Sequence, residues 1–204
     1  MGAHGRYAGP MSLARPLPRA TLDELLALPA DAPHELVGGA LVPKEAASGR
    51  HGEAQLSVGI VLRRYRRGGG AGGPGGWLFA ADALVTFEPD ETYRPDVAGW
   101  RREHLRELGP DVPIRVRPDW VCEILSTNRV NDLVKKKRVY HRHRVPHYWI
   151  IDPDVEMLTV YRWGPDGYIE VLAAQRGDRV RAEPFDEAEI RVGVFFGDDE
   201  DEGP

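Results

Sequence analysis

The chain has 204 residues, 42% hydrophobic and 29% charged, which is the balance of one soluble domain with its own core. Its net charge of -5 excludes a uniformly basic nucleic-acid binder, although the acidic stretch Gly197 to Glu202 and the basic run Arg129 to Arg144 split that average, and a local basic face still attracts phosphate. No apolar run approaches the roughly 18 to 20 residues of a membrane span, Met1 to Ala20 lacks a secretory apolar stretch, and the one cysteine, Cys122, cannot close an internal disulfide, so a cytoplasmic location without membrane contact is expected.

Residues 1–19 are rich in Gly, Pro and Arg and lack periodicity, so they are expected to be disordered. Residues 20–196 are expected to form a single domain, and residues 197–204 an acidic disordered tail. Thr21-Leu22-Asp23-Glu24 is a capping-box pattern that predicts a short helix to about Leu28. His34 to Val37 and Ala40 to Val42 read as strands around Gly38-Gly39, a hairpin signal. Ala54, Val58, Val61, Leu62 and Tyr65 recur at helical spacing within His51 to Arg67. The Gly-rich stretch Gly68 to Gly76 reads as a surface loop, and it lacks the Gly-Lys-Ser/Thr ending of a phosphate-binding loop.

Strands are predicted at Trp77 to Ala80, Ala83 to Phe87 and Asp96 to Trp100, and a short polar helix at Arg101 to Leu108. An apolar strand at Asp119 to Leu125, a helix at Arg129 to Arg144 and a buried strand at Tyr148 to Asp152 give the order of a βαβ crossover. Met157 to Trp163 and Tyr168 to Ala173 alternate like a meander. The fold class predicted is α/β, a mixed (α+β) sheet in which antiparallel hairpins feed one parallel crossover.

Three groups in this frame carry chemistry. Asp96 follows Arg94-Pro95, and the proline forces an extended approach to the strand that Asp96 opens. Taken alone, Asp96 also reads as a strand-end aspartate held by a turn. Glu123 is the one ionisable group within Trp120-Val121-Cys122-Glu123-Ile124-Leu125. If that strand is buried on both faces, Glu123 must be paired, neutralised or metal-bound; if one face is solvated, it is ordinary. In the following helix, steps of about 100° place Val130, Leu133, Val134 and Tyr140 on the core side. Lys137 then falls near the middle of that side, Lys136 at its edge, and Lys135 points away. A solvated basic face is the other reading of this run.

In this order the residues resemble the PD-(D/E)XK nuclease superfamily, and within it the Uma-type restriction endonuclease family. The resemblance spans about residues 21–175. It is carried by the His34-Glu35-Leu36-Val37-Gly38-Gly39 hairpin, His51 opening a helix, Pro95-Asp96, Glu123-Ile124-Leu125-Ser126, Lys136 four residues before Tyr140, and Val145 to Pro153. It implies a restriction-endonuclease-like core with an N-terminal hairpin and flanking helices. It further implies a Mg²⁺-dependent endodeoxyribonuclease, with Mn²⁺ as a substitute. Asp96, Glu123 and the main-chain carbonyl of Ile124 would hold the metal, Lys136 would serve as the active-site lysine, and Glu35 would complete the site. Beside what the resemblance implies, His51, Lys135 and Lys137 are candidates to contact DNA, His51 reading equally as a packing residue at a helix start, and a homodimer would match a two-fold symmetric duplex. The chain departs from the family pattern twice. Leu125 stands where the superfamily usually has its lysine, and Gly38-Gly39-Ala40 replaces an acidic turn. The family register selects Lys136, whereas the helical wheel favours Lys137.

Two other functions fit the same sequence. A non-catalytic nucleic-acid or protein-binding module would keep the fold without turnover. A regulatory metal protein would use His141, His143 and His147, although His141 and His143, two apart on a helix, do not face together. Cys122 and Trp149 read as core. Arg63, Arg64, Arg66 and Arg67 form a second basic patch.

Overall fold

A computed structural model describes residues 19–29, 31–66, 75–126 and 131–199, with backbone alone at 131 and 132. The expectations for residues 1–18, for the Gly-rich stretch as far as residue 74, for residues 127–130 and for the chain beyond 199 fall outside the described residues.

The capping box forms as the sequence predicts. The Glu24 amide donates to Thr21 Oγ1 at 3.3 Å and the Thr21 amide to Glu24 Oε2 at 2.7 Å, opening helix α1, Leu22–Leu26. Strands β1 (His34–Val37) and β2 (Ala40–Pro43) pair antiparallel across Gly38 and Gly39. Both glycines lie in the left-handed region (φ 59° and 79°), where a two-residue hairpin turn needs them. Helix α2, Gly49–Leu62, starts where Ser48 Oγ accepts from the His51 amide, and it tightens into a 3₁₀ turn over Arg63–Tyr65. Next come β3 (Trp77–Ala81), β4 (Val85–Glu88), β5 (Glu91–Tyr93), β6 (Val97–Arg101) and β7 (Trp120–Ile124). A π turn over Asn131–Lys136 leads into α3, Lys137–Arg142. Strands β8 (His147–Asp152), β9 (Met157–Gly164) and β10 (Gly167–Gln175) complete the main sheet, followed by the short β11 (Arg179–Val180) and β12 (Ile190–Arg191) and a 3₁₀ turn at Val192–Phe196.

The main sheet has six strands in the order β10-β9-β8-β7-β6-β3, and a second sheet runs β2-β1-β5-β4. Within the main sheet β7 and β8 are parallel and the other neighbours antiparallel. This is the mixed sheet with one crossover that the sequence predicts. Every residue of β7 is buried. Trp120, Cys122 and Ile124 join a core with Val58, Trp77, Trp149 and Phe185, while Val121 packs on the opposite face with Tyr140, Tyr148 and Ile150. A fully buried side chain of this kind contributes roughly 1.5–3 kcal/mol, so β7 is anchored from both sides.

Two predicted elements differ. Arg101 to Leu108 forms one turn, closed by the Leu105 amide on the Arg101 carbonyl at 3.0 Å, and does not continue as a helix. Asp119 draws this segment away from a helical ladder, because its carboxylate accepts from the Arg101 amide at 2.8 Å and pairs with His104 Nδ1 at 2.8 Å. So short a polar segment also cannot repay helix nucleation. In the crossover, Leu133 and Val134 are 39% and 38% exposed and do not face the core. The π turn bonds i to i+5, so a wheel drawn at 100° per residue misplaces the side chains that follow it. Strand β5 went unread because its three residues follow directly on the turn at Pro89-Asp90.

Candidate active site

Glu123 sits in the central strand β7, and Asp96 immediately precedes the adjacent strand β6. Both are buried, at 1% and 2% exposure. With Val97 opposite Cys122 in the register, Asp96 lies beyond the last pair, beside the end of β7. The Ile124 amide donates to Asp96 Oδ2 at 2.7 Å. The amide and carbonyl of one strand residue face the same edge, so the Ile124 carbonyl is directed to the edge where Asp96 stands.

Glu123 shares its face of β7 with Val121, and the crossover covers that face. Tyr140 Oη donates to Glu123 Oε1 at 2.6 Å, and Lys136 Nζ lies 3.1 Å from Glu123 Oε2. Lys136 Nζ also lies 3.1 Å from Glu35 Oε1, on β1 of the hairpin. That oxygen accepts from the Arg94 amide at 2.8 Å, which ties the hairpin to the approach of Asp96. Glu35 and Lys136 are 2% and 3% exposed. The structure therefore brings Glu35, Asp96, Glu123 and Lys136 into one buried cluster.

The other proposed contacts divide. His51 is buried, and its Nε2 lies 3.3 Å from Asp96 Oδ1. Its Nδ1 is buried without a hydrogen-bond partner among the described residues. Lys135 is exposed. Lys137 lies 3.5 Å from the centre of the Tyr161 ring, a cation–π contact made on β9, and burial lowers its pKa. Of the lysines in this run, Lys136, and not the wheel-central Lys137, lies among the acids. His141 Nε2 meets the Gly164 carbonyl at 2.7 Å and His143 Nε2 meets Glu88 Oε1 at 2.8 Å, so both are engaged singly.

Sequence reasoning missed Lys44, Gln55, Asp82 and the role of Tyr140. Lys44, just past β2, places Nζ 2.9 Å from Asp96 Oδ1 and 3.0 Å from the Arg94 carbonyl, and it also bonds Asp82. Gln55 Nε2 donates to the Asp96 carbonyl at 2.7 Å and to Asp82 Oδ2 at 2.9 Å. No local pattern marks Lys44 or Gln55, because their partners lie far along the chain. Tyr140 carried a signal in its spacing of four from Lys136, which puts both on one side of a helix.

The electrostatics follow from this packing. Burial opposes the Asp96 carboxylate, but the His51 hydrogen bond and the Lys44 and Lys136 ammonium charges outweigh it and hold its pKa below the ordinary carboxylate range. Burial would lower Lys44, yet Asp96 reverses that and raises its pKa, so Lys44 stays an ammonium. Burial, then Glu123, pushes the Tyr140 hydroxyl far up, so it remains a donor.

Among the described residues no group of three or more His, Cys, Asp or Glu side chains is set to hold a metal on its own. Two carboxylates and a main-chain carbonyl directed to the same edge are a different donor set. They are hard oxygens, few enough to leave positions for water, and this suits Mg²⁺ or Mn²⁺ rather than zinc. Three buried acids against two lysines leave room for further positive charge.

The family model described as "Uma2: Putative restriction endonuclease" matches residues 22–193. The chain belongs to the Uma2 family. The match runs from α1 to the last 3₁₀ turn, so it includes every element that supplies a residue to the cluster. The fold is also that of a crystal structure described as a putative nuclease belonging to DUF820 from Anabaena variabilis. That structure is 21% identical, with a TM-score of 0.64 over 86% of this chain and 97% of the other. No curated protein matches the chain. As a Uma2 member it has the mixed-sheet nuclease-like fold, and none of its described helices is long and apolar enough to cross a membrane.

Proposed function

We propose that this chain is a metal-dependent endonuclease that hydrolyses phosphodiester bonds of DNA, acting in the cytoplasm as a homodimer. One observation carries the reading: Asp96, Glu123 and Lys136, from three separate elements, meet in a single buried cluster. Burying two acids and a lysine is costly unless each is paired or used.

Asp96 and Glu123, with the Ile124 carbonyl, would hold Mg²⁺ or Mn²⁺. A bound divalent ion supplies polarisation of the phosphoryl group and a coordinated water of lowered pKa. Lys136 would orient the attacking water and stabilise charge on the phosphate oxygens. Glu35 gives Lys136 a second carboxylate partner beside Glu123, and Tyr140 holds the other oxygen of Glu123, so the lysine and the acid keep one geometry. His51 steadies Asp96 at Oδ1 from a buried position. Lys135 on the exposed side of the crossover, with Arg63, Arg64 and Arg66 beyond α2, would receive backbone phosphates. A two-fold dimer would set one such site against each strand of a duplex.

Incubation with supercoiled plasmid and Mg²⁺ or Mn²⁺ tests the reading, with a labelled RNA in parallel. Nicked and linear DNA are expected, with loss of both in Asp96→Asn and Glu123→Gln. Cleavage that survives either substitution contradicts the site. Salt-sensitive DNA binding without any turnover would favour the non-catalytic module instead.

A further inference from the structure

Two lysines face the acids, and they are held differently. Lys136 is enclosed, with 3% of its side chain exposed. Lys44 is less enclosed, with 18% exposed, and is bonded at once to buried Asp96 and to Asp82, whose side chain is 50% exposed. Asp82 sits just past β3 in the left-handed region at φ 52°. Its other oxygen accepts from Gln55 Nε2, and its carbonyl accepts from Arg94 Nη1 at 3.1 Å, so this exposed acid is fixed in place.

We propose that Lys44 is a resident counter-cation of the metal site, which neutralises Asp96 in the metal-free protein and withdraws along Asp82 when a divalent ion binds. The proposal rests on the metal-dependent reading above. Asp96 Oδ2 is engaged by the Ile124 amide, so an ion approaching the carboxylate competes for Oδ1, the oxygen that Lys44 and His51 share. An ammonium and a divalent ion repel one another at that range. Asp82, whose side chain is half exposed, lets Lys44 leave Oδ1 without losing an ionic partner. Lys44 is thus a positioning residue that sets the threshold for metal occupancy, not a catalytic residue.

The test is Mn²⁺ binding to the full chain, followed by the electron paramagnetic resonance signal of free Mn²⁺, with melting temperature measured alongside. Lys44→Met and Lys44→Gln are expected to bind Mn²⁺ on the order of tenfold tighter than the unsubstituted chain. Asp82→Asn, which removes the alternative partner, is expected to bind more weakly. A merely structural pin between β2 and Asp96 would make all three variants weaker, and that result overturns the proposal. Binding that depends on Asp96 but is unchanged in the Lys44 variants overturns it while leaving the metal site standing. Absence of binding in every variant overturns both readings. Binding in the Lys44 variants alone supports both. Failure of both neutral Lys44 variants to fold even with Mn²⁺ shows an indispensable pin and overturns the proposal.

Discussion

Lys136 Nζ lies 3.1 Å from Glu123 Oε2, with neither side chain more than 3% exposed. Neither group can turn to bulk water without disrupting the packing of the crossover on β7. Removing one partner leaves the other charged and buried, which typically costs about 3–5 kcal/mol. Lys136→Met is therefore expected to lose stability of that order in urea unfolding at neutral pH. Pairing it with Glu123→Gln is expected to recover part of the loss, as a double-mutant cycle would read. A loss below about 1 kcal/mol would place the pair among the weak, solvated ones.

Tyr140 Oη donates to the other oxygen of Glu123 at 2.6 Å. Tyr140→Phe removes that donor and keeps the ring against Phe87 and Tyr148. Hydrogen bonds to charged groups contribute about 1.5–3 kcal/mol, so a stability loss in that range is expected with the native circular dichroism spectrum retained. An unchanged unfolding midpoint would mean that Glu123 finds another donor.

His147 at the start of β8 gives a pH dependence of known sign. Burial, then the charges of Arg101 and Arg162, push its imidazole down to about 4. Glu183 Oε2, 3.8 Å from Nδ1, is too distant to offset this with a hydrogen bond. Unfolded, the ring takes a proton near pH 6.5, whereas the folded protein refuses it until about pH 4. Its contribution is fully present above pH 6.5 and is lost as pH falls towards 4, at most about 3 kcal/mol in all. His147→Gln is expected to flatten the stability profile across that window. A profile that keeps its slope there would assign the slope to other groups.

The two readings of the lysine run separate cleanly. Lys137→Met removes a contact on Tyr161 and is expected to change plasmid cleavage by no more than a few fold. Lys136→Met is expected to lower it by about 10²–10³, the scale for removing one group that stabilises developing charge. Equal losses at both positions would contradict the assignment of Lys136.

The hairpin, the cap of α1 and the crossover were legible because each has a local cause: paired left-handed glycines, a capping box, and apolar runs of strand length. Glu123 was legible as the lone acid of an apolar strand, and β7, buried on both faces, removed its ordinary reading. The choice between Lys136 and Lys137 was beyond the helical wheel, because the turn before α3 is not α-helical. Family register pointed to Lys136, which the fold places beside Glu35 and Glu123. Lys44 and Asp82 were invisible because a charged residue beside a strand end has the same local sequence whether it faces solvent or a buried acid. Lys44 meets its partners across 38 and 52 residues, and only the assembled sheet brings them together.

A crystal soaked in Mn²⁺ and measured for anomalous scattering would reveal a divalent ion between Asp96 and Glu123 outright. A single strong peak is expected at roughly 2.1 Å from carboxyl oxygens of both Asp96 and Glu123, with Lys136 retained beside Glu123. An absent peak, or one remote from these two acids while Lys44 remains on Asp96, would contradict the metal-dependent site.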